Sequence, residues 1–168
     1  MDQSLLSTVG DKLKTQFGAG IISSEMIADY PVFVVKRDII EEVVKFLYHD
    51  ETLAFQYLTT LAGLHYPDNK GHELGVMYQL HNLQKNYRIR LKIFFSSNDP
   101  VVPSITSVFS GANWMERQEF DFFGIIFSGH PNLKRILNVD DMNYHPMRKE
   151  YPLEDGTRED KDDRMFGR

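Results

Sequence analysis

The chain has 168 residues, of which 42% are hydrophobic and 12% aromatic, enough apolar content for one domain with a packed core. Its formal net charge of -5 gives no excess of basic residues of the kind that binds nucleic acid. The lack of cysteine excludes a Cys-ligated iron–sulfur cluster, a thiolate zinc site, a catalytic thiol and a disulfide in this sequence.

No apolar run approaches the roughly 20 residues that a membrane-spanning helix needs. Residues 1–10 also lack a basic region followed by an apolar core, which is the pattern of a signal peptide. These observations predict a cytoplasmic protein that reaches a membrane only through its partners.

The first third of the chain has the spacing of two helices and several strands. Residues 4–17 place apolar side chains at helical spacing before Gly18, and residues 39–50 repeat the pattern. Asp38, followed three residues later by Glu41, predicts an N-terminal capping box for the second helix. Strands are expected from Ile21 and over residues 31–36, which are rich in β-branched residues. Residues 55–64 alternate loosely, a pattern that fits a strand or a helix and favours the strand.

Two alternating segments, residues 74–80 and 87–95, predict an antiparallel hairpin with one buried face. The opposite face of its second strand carries Arg88, Arg90 and Lys92. These basic side chains are either a solvated face that blocks edge-to-edge aggregation or a docking surface for an acidic partner.

The densest mixture of acidic, basic and aromatic residues follows. Residues 104–109 predict a short helix, and residues 112–123 predict a second one that Gly124 ends. Apolar residues surround much of this second helix, so its charged residues should lie against apolar surface, where a charge needs a partner.

We therefore expect an internal ion-pair network in the second helix, formed by Glu116, Arg117, Glu119 and Asp121. The i, i+4 spacing predicts that Arg117 pairs with Asp121. A strand-like run over residues 125–127 then leads to a turn at residues 128–131, where Gly and Pro interrupt regular structure.

This region resembles the signature of a known family. The matching residues are Glu116-Arg117, Asp121, a pair of aromatic residues, Gly124, Gly129-His130-Pro131 and Lys134-Arg135-Ile136-Leu137. A second motif runs from Asp140-Asp141 to His145-Pro146-Met147-Arg148-Lys149-Glu150-Tyr151-Pro152-Leu153. Both motifs, in this order, are similar to those of the C-type subunit of NADH-quinone oxidoreductase, the 30-kilodalton-type peripheral subunit of respiratory complex I. The sequence departs from the family pattern at Gln118, where Glu is usual, and at residues 142–144, where Trp-Glu-Gly is usual.

The resemblance implies a non-catalytic core subunit in the peripheral arm of a proton-translocating NADH:quinone oxidoreductase, where it braces the D-type subunit that forms the quinone site. It implies FMN and iron–sulfur clusters in the partner subunits, none in this chain, and NADH and quinone as substrates of the whole complex. The implied partners are the D-type quinone-site subunit and neighbouring iron–sulfur subunits, on the cytoplasmic side of the inner (plasma) membrane. An equivalent subunit of a related membrane-bound hydrogenase, or of a quinone reductase with another electron donor, is the close alternative.

A stand-alone carboxylate enzyme is an alternative of a different class. It requires Glu116, Glu119 or Asp121 to be exposed in a cleft with a raised pKa. The sequence contains neither a nucleophile elbow nor a phosphate-binding loop, and His130 and His145 lack an obvious third metal ligand. We therefore expect no self-contained catalytic, cofactor-binding or metal site in this chain.

The predicted fold is α+β: a two-layer domain over residues 1–140, with a mixed, largely antiparallel sheet and helices packed on one face. Residues 141–168 are expected to form an extended arm that binds a partner, and the charged residues 154–168 should order only on binding. The resemblance and the mixture of Arg, Pro and aromatic residues predict a partner interface formed by His145, Pro146, Arg148, Lys149, Tyr151 and Pro152.

Overall fold

The computed structural model describes residues 2–151, with side chains from Ser4 onward. Its helices are α1 (Asp2–Phe17), α2 (Ile40–His49) and α3 (Ala112–Phe123). Its strands are β1 (Ile21–Ile27), β2 (Tyr30–Val35), β3 (Tyr57–His65), β4 (Leu74–Asn82), β5 (Tyr87–Phe95), β6 (Val101–Pro103) and β7 (Ile126–Ser128). Short 3-10 helices at Gly18–Gly20 and Arg37–Ile39 precede β1 and α2.

The main sheet has five strands in the order β1-β2-β5-β4-β3. Its neighbouring strands are antiparallel except for the parallel pair of β2 and β5. β6 and β7 form a separate two-stranded parallel sheet. This arrangement, with its helices, confirms the predicted α+β class and the mixed, largely antiparallel sheet.

The three helices lie on one face of the five-stranded sheet. Residues opposite each other in a ladder point to the same face, so the pairing of Phe33 with Leu91 and of Leu91 with Tyr78 assigns all three to one side. These side chains are buried together with apolar residues of α1 and α2, such as Val9 and Val44. The hydrophobic core is therefore the layer between sheet and helices, as predicted.

The predicted capping box before α2 is wrong. The chain enters this helix through the 3-10 helix Arg37–Ile39, so that Ile39 holds the N-cap position, where its side chain makes no capping hydrogen bond. Asp38 instead lies 3.4 Å from Arg37 in an ion pair. Glu41 binds Lys45 at 2.7 Å and accepts a hydrogen bond from Ser107 at 2.8 Å.

The predicted helix at residues 104–109 is also wrong. Residues 106–108 form a turn in which Ile105 accepts hydrogen bonds from the N–H groups of Val108 and Phe109. The N–H of Ser104 is bound to the carbonyl of Ser128, continuing the β6–β7 ladder. Strand β6 was not predicted, because three residues with a distant partner leave no periodic pattern.

Gly63 is where α3 approaches β3 most closely. A Cβ atom at this position would lie 2.5 Å from the Oε2 atom of Glu119 and 2.6 Å from the ring of Phe123. Glycine is therefore required for this helix to contact the sheet.

We expect Gly63→Ala to lower the free energy of unfolding by about 1–3 kcal/mol, because overpacking displaces α3 from the sheet. Urea unfolding measures the change. Gly10→Ala is the matched control: a Cβ at Gly10 meets Phe33 at an ordinary 3.5 Å, and alanine favours the α1 helix by up to about 1 kcal/mol. Equal stability of the two variants would contradict the close approach at Gly63.

Candidate functional site around helix α3

The backbone around α3 reverses twice, and a glycine supports each reversal. Gly124 ends the helix in a left-handed conformation with φ 72° and donates its N–H to the Phe120 carbonyl at 2.9 Å. β7 then runs back along the helix, and Gly129, with φ 83°, turns the chain again. His130 lies 3.1 Å from the carbonyl of Asn113 at the start of α3. The two glycines of the signature are thus located where L side chains are disfavoured.

Asp121 binds the segment that follows the second turn. Its side chain is fully buried. The Oδ2 atom accepts hydrogen bonds from the backbone N–H groups of Ile136, Leu137 and Asn138 at 3.2, 2.9 and 3.0 Å. The Oδ1 atom accepts from Arg135 Nη1 at 2.7 Å and from Asn138 Nδ2 at 2.9 Å.

These donors keep the buried carboxylate ionised. Burial alone would raise the pKa of Asp121, but the hydrogen bonds from Asn138, Leu137 and Arg135 outweigh it and hold the pKa well below its ordinary value. We call residues 133–138 the wrapping segment, because the hydrogen bonds to Asp121 hold this segment against α3.

The predicted ion pair between Arg117 and Asp121 is wrong. Asp121 pairs with Arg135, whose side chain is also largely buried. Arg117 donates hydrogen bonds to the carbonyls of Lys134 and Arg135 at 3.0 and 3.2 Å. Its guanidinium lies over the ring of Trp114, 4.9 Å from the centroid. The wrapping segment provides the partners of both Arg117 and Asp121. Helical spacing could not predict these partners, because they lie outside the helix.

Among the described residues, no cation accompanies the buried side chains of Glu116 and Glu119. Glu116 accepts hydrogen bonds from the Ser104 hydroxyl at 2.7 Å and from the Ile105 N–H at 2.8 Å. Glu119 accepts one from the Gly63 N–H at 2.7 Å and one from Gln118 at 3.3 Å. Within residues 2–151 neither forms an ion pair, so the expected ion-pair network is wrong for both.

Burial raises the pKa of Glu116 and of Glu119 to about 7, although the hydrogen bonds to each carboxyl act in the opposite direction. A carboxylate enzyme requires such a group at the wall of a cleft. Both side chains are instead enclosed, with 0% and 2% exposure, so neither carboxyl is accessible to a substrate.

Residues of the second motif cap the C-terminal end of α3. The last carbonyls of a helix lack partners within it. Here the backbone carbonyl of Asp121 lies 3.1 Å from His145 Nδ1. The carbonyl of Phe122 accepts a hydrogen bond from the Met147 N–H at 3.2 Å, and that of Phe123 accepts one from Arg148 Nε at 2.7 Å. Arg148 also adds a positive charge at the negative end of the helix dipole.

The predicted partner-interface residues His145 and Arg148 therefore contact their own chain. Burial lowers the pKa of His145, with further contributions from Arg148 and Arg135, while its bond to the Asp121 carbonyl opposes the shift. Lys149 donates its N–H to His65 Nδ1 at 2.9 Å. Tyr151 stays exposed.

The predicted interface also includes two prolines, Pro146 and Pro152. Pro146 lies between His145 and Met147, which both contact α3. Pro152 and residues 154–168 lie outside the described residues.

The two motif histidines support loops. The Nδ1 atom of His130 accepts the Asn132 N–H at 3.0 Å, so Nε2 donates to the Asn113 carbonyl. Pro131 lies between these residues. In the described part of the chain, no group of three or more His, Cys, Asp or Glu side chains is placed to hold a metal ion. None of the helices found there is long and apolar enough to cross a membrane.

Three residues that complete the site were not predicted from the sequence, namely Gly63, Ser104 and Asn138. Each supplies a hydrogen bond to a buried carboxyl of α3. The sequence does indicate that some donors are needed, because a buried carboxyl without a cation requires hydrogen bonds. Their positions, however, are set by tertiary contacts.

Comparison with known proteins identifies the family. The model of the family "Respiratory-chain NADH dehydrogenase, 30 Kd subunit" matches residues 33–157. The chain belongs to this family. It is 45% identical over 121 residues to the C-type subunit of NADH-quinone oxidoreductase from a Nocardioides species, covering 72% of this chain and 48% of that protein.

Two further relatives give the same result. The corresponding subunit of Mycolicibacterium gilvum is 45% identical over 71% of this chain and 53% of its own length, and that of Acidothermus cellulolyticus is 44% identical over 72% and 63%. The chain thus spans about half to two thirds of the length of the curated relatives it matches.

Solved structures support the assignment. A trypsin-resistant fragment (1–134) of Nqo5 superposes with a TM-score of 0.64 at 27% identity, covering 76% of this chain and 98% of the fragment. A chain of the membrane-bound sulfane sulfur reductase, an archaeal respiratory membrane complex, has a TM-score of 0.72 at 17% identity, covering 88% and 85%. The second likeness shows a shared fold.

We expect Arg135→Ala to lower the free energy of unfolding by about 3–5 kcal/mol, because it leaves the buried Asp121 carboxylate without its cation. Arg117→Ala should cost only about 1 kcal/mol, since it removes two hydrogen bonds to backbone carbonyls and a ring contact. Urea unfolding of both variants at pH 7 measures the difference. A larger loss of stability for Arg117→Ala than for Arg135→Ala would support the predicted i, i+4 ion pair between Arg117 and Asp121.

The two buried glutamates predict a pH dependence. Between the ordinary Glu pKa of 4.5 and the folded value of about 7, the unfolded chain releases protons that the folded chain keeps. The free energy of unfolding should therefore fall as pH rises through this window, by roughly 2–4 kcal/mol per residue. Glu116→Gln should remove the part of this decrease in the free energy of unfolding that comes from Glu116.

Urea unfolding from pH 4.5 to 8 tests this dependence. The control is Glu42→Gln, which removes the same charge from an exposed position of α2. An unchanged pH slope in Glu116→Gln would show that Glu116 has the same pKa in the folded and the unfolded chain.

Proposed function

We propose that this chain is a non-catalytic subunit of the peripheral arm of a proton-translocating NADH:quinone oxidoreductase, bracing the D-type subunit that forms the quinone site. In this role the chain takes part in catalysis only as a component of the complex, and FMN and the iron–sulfur clusters belong to partner subunits. Its position is peripheral, on the cytoplasmic side of the inner (plasma) membrane.

The observation that carries this proposal is an apolar surface on the side of the molecule formed by the signature. Eight of the twelve large hydrophobic side chains exposed among the described residues lie between positions 101 and 151. Trp114, Leu137 and Val139 are 63%, 64% and 63% exposed. Val101 lies opposite Ile126 in the β6–β7 ladder, and exposed large apolar side chains that adjoin one another favour a permanent partner.

Contacts within the chain hold two parts of this surface in place. Arg117 holds the Trp114 ring on one side, and Asp121 binds the N–H of Leu137. An aromatic ring and a backbone segment held in this way lose less conformational entropy when they bind. Trp and Arg are also the residue types that most often dominate the binding energy of interfaces.

An affinity tag at the N-terminus, at the opposite end of the chain from the arm, allows the complex to be purified from native membranes. Mass spectrometry of the eluate and an NADH-to-quinone assay test the proposal. Recovery of a chain of the quinone-site type, iron–sulfur subunits and activity would support it, whereas recovery with hydrogenase subunits would select the close alternative. A lone soluble protein would contradict both.

We expect Leu137→Ser to reduce retention of the chain in the purified complex by about tenfold, which corresponds to roughly 1.4 kcal/mol of binding energy. Leu83→Ser is a matched control, because Leu83 is 63% exposed in the β4–β5 turn, outside the signature. The isolated variants should unfold at the temperature of the unchanged chain. Equal retention of the two variants would place the interface elsewhere.

A further inference from the structure

We propose that the face of the five-stranded sheet opposite the helices docks the acidic surface of a second protein chain, distinct from the partner of the signature surface. We call this side of the sheet the outer face. It is defined by Tyr30, Met77, Gln79, Arg90, Lys92 and Phe94. The inference goes beyond the proposed function, because it rests on a different surface.

The strand register places these side chains together. Met77 is opposite Lys92 and Gln79 is opposite Arg90 in the β4–β5 ladder, while Val32 of β2 is opposite Arg90. They alternate with Tyr78 and Leu91, which point into the core. The outer face therefore lies on the far side of the sheet from α1, α2 and α3.

Positive charge is concentrated on this face. Among the described residues, the outer face carries three cations on β5, namely Arg88, Arg90 and Lys92, and a single carboxylate, that of Glu25 on β1, in a chain of net charge -5. Arg88, Arg90 and Lys92 occupy alternate positions of β5, which are roughly 7 Å apart along a strand. Three like charges in one row repel one another and favour a partner with carboxylates.

The described residues supply no carboxylate to these three cations. Arg90 donates to the Gln79 Oε1 atom at 3.1 Å, and its guanidinium lies 4.2 Å from the centroid of the Tyr30 ring. Arg88 donates to His81 at 3.5 Å. Within residues 2–151, Lys92 has no hydrogen bond or ion pair. Glu25, on β1, pairs in register with Val32, two strands away from Arg90.

The chemistry of the outer face favours a protein as its occupant. Half-exposed Met77 and Phe94 lie among the cations, and Tyr57 is exposed at the β3 edge. Met, aromatic residues and Arg are enriched in protein interfaces. The Tyr30 ring and Gln79 hold the Arg90 guanidinium in place, which leaves it ready to bind a carboxylate with two parallel hydrogen bonds.

The size of the face is suitable as well. Five strands at their usual spacing give a surface roughly 20 Å wide and 25 Å long, about 500 Å², which corresponds to one side of a small interface. Since α3 and the wrapping segment lie in the other layer, both surfaces can be occupied at once. The domain then lies between two neighbours.

The experiment is site-specific photo-cross-linking in the assembled complex. p-Benzoylphenylalanine replaces Met77 on the outer face, or Leu137 on the signature surface as an internal reference. We expect position 77 to cross-link to an Asp- or Glu-containing peptide of a protein other than the one captured at position 137. Products at 137 but not at 77 would overturn this inference and leave the proposed function standing. Absence of both would contradict both.

A charge-reversal experiment follows from the cross-link. Lys92→Glu should reduce retention in the complex about tenfold, and exchanging an acidic residue of the cross-linked peptide for Lys should restore it. Lys14→Glu, the same change on exposed α1, should have no effect. Equal retention of the two variants, or a loss that the exchange does not restore, would overturn the proposal.

An anionic membrane surface is the competing occupant, and flotation of the isolated chain with vesicles tests it. Binding to phosphatidylglycerol-containing vesicles that Lys92→Glu abolishes, together with lipid cross-links at position 77, would overturn the protein partner. Absence of flotation, together with the protein cross-link, would support it.

Discussion

The buried carboxylate of Asp121 is the interaction on which the signature region depends. A charge without water around it requires several donors close by, and Asp121 obtains three backbone N–H groups, an amide and a guanidinium. All five come from residues 135–138. Because backbone N–H groups of an extended segment converge on one atom only when the chain curves around it, the carboxylate fixes the course of the wrapping segment along α3.

The next part of the chain is positioned through Arg135. The same guanidinium that pairs with Asp121 donates to the carbonyls of Met142 and Tyr144 at 2.7 and 3.3 Å. This brings the following residues to the end of α3, where His145 and Arg148 contact its last carbonyls. One ion pair thus links the first motif to the second.

The three acidic side chains of α3 have different roles although they lie within six residues. Glu116 links the helix to residues 104–105 after β6, Glu119 links it to β3, and Asp121 links it to the wrapping segment. Each does so through backbone N–H groups. The pKa of Asp121 is lowered because a cation and many donors surround it, whereas burial with few donors raises the pKa values of Glu116 and Glu119. Charge in the signature therefore serves to assemble the domain.

Sequence alone determined α1, α2 and α3, the hairpin, the buried stripe of α2 and the limits of α3, although it also predicted a helix at residues 104–109 where the chain forms a turn. These follow from local periodicity and from Gly124, whose left-handed conformation favours glycine. The family was also readable, because two motifs occur in order. What only the tertiary structure decided is the set of partners: Arg135 rather than Arg117 for Asp121, and backbone N–H groups rather than cations for Glu116 and Glu119. Helical spacing reports which side chains are neighbours on one helix, but a buried carboxyl takes the donors that the rest of the fold brings to it.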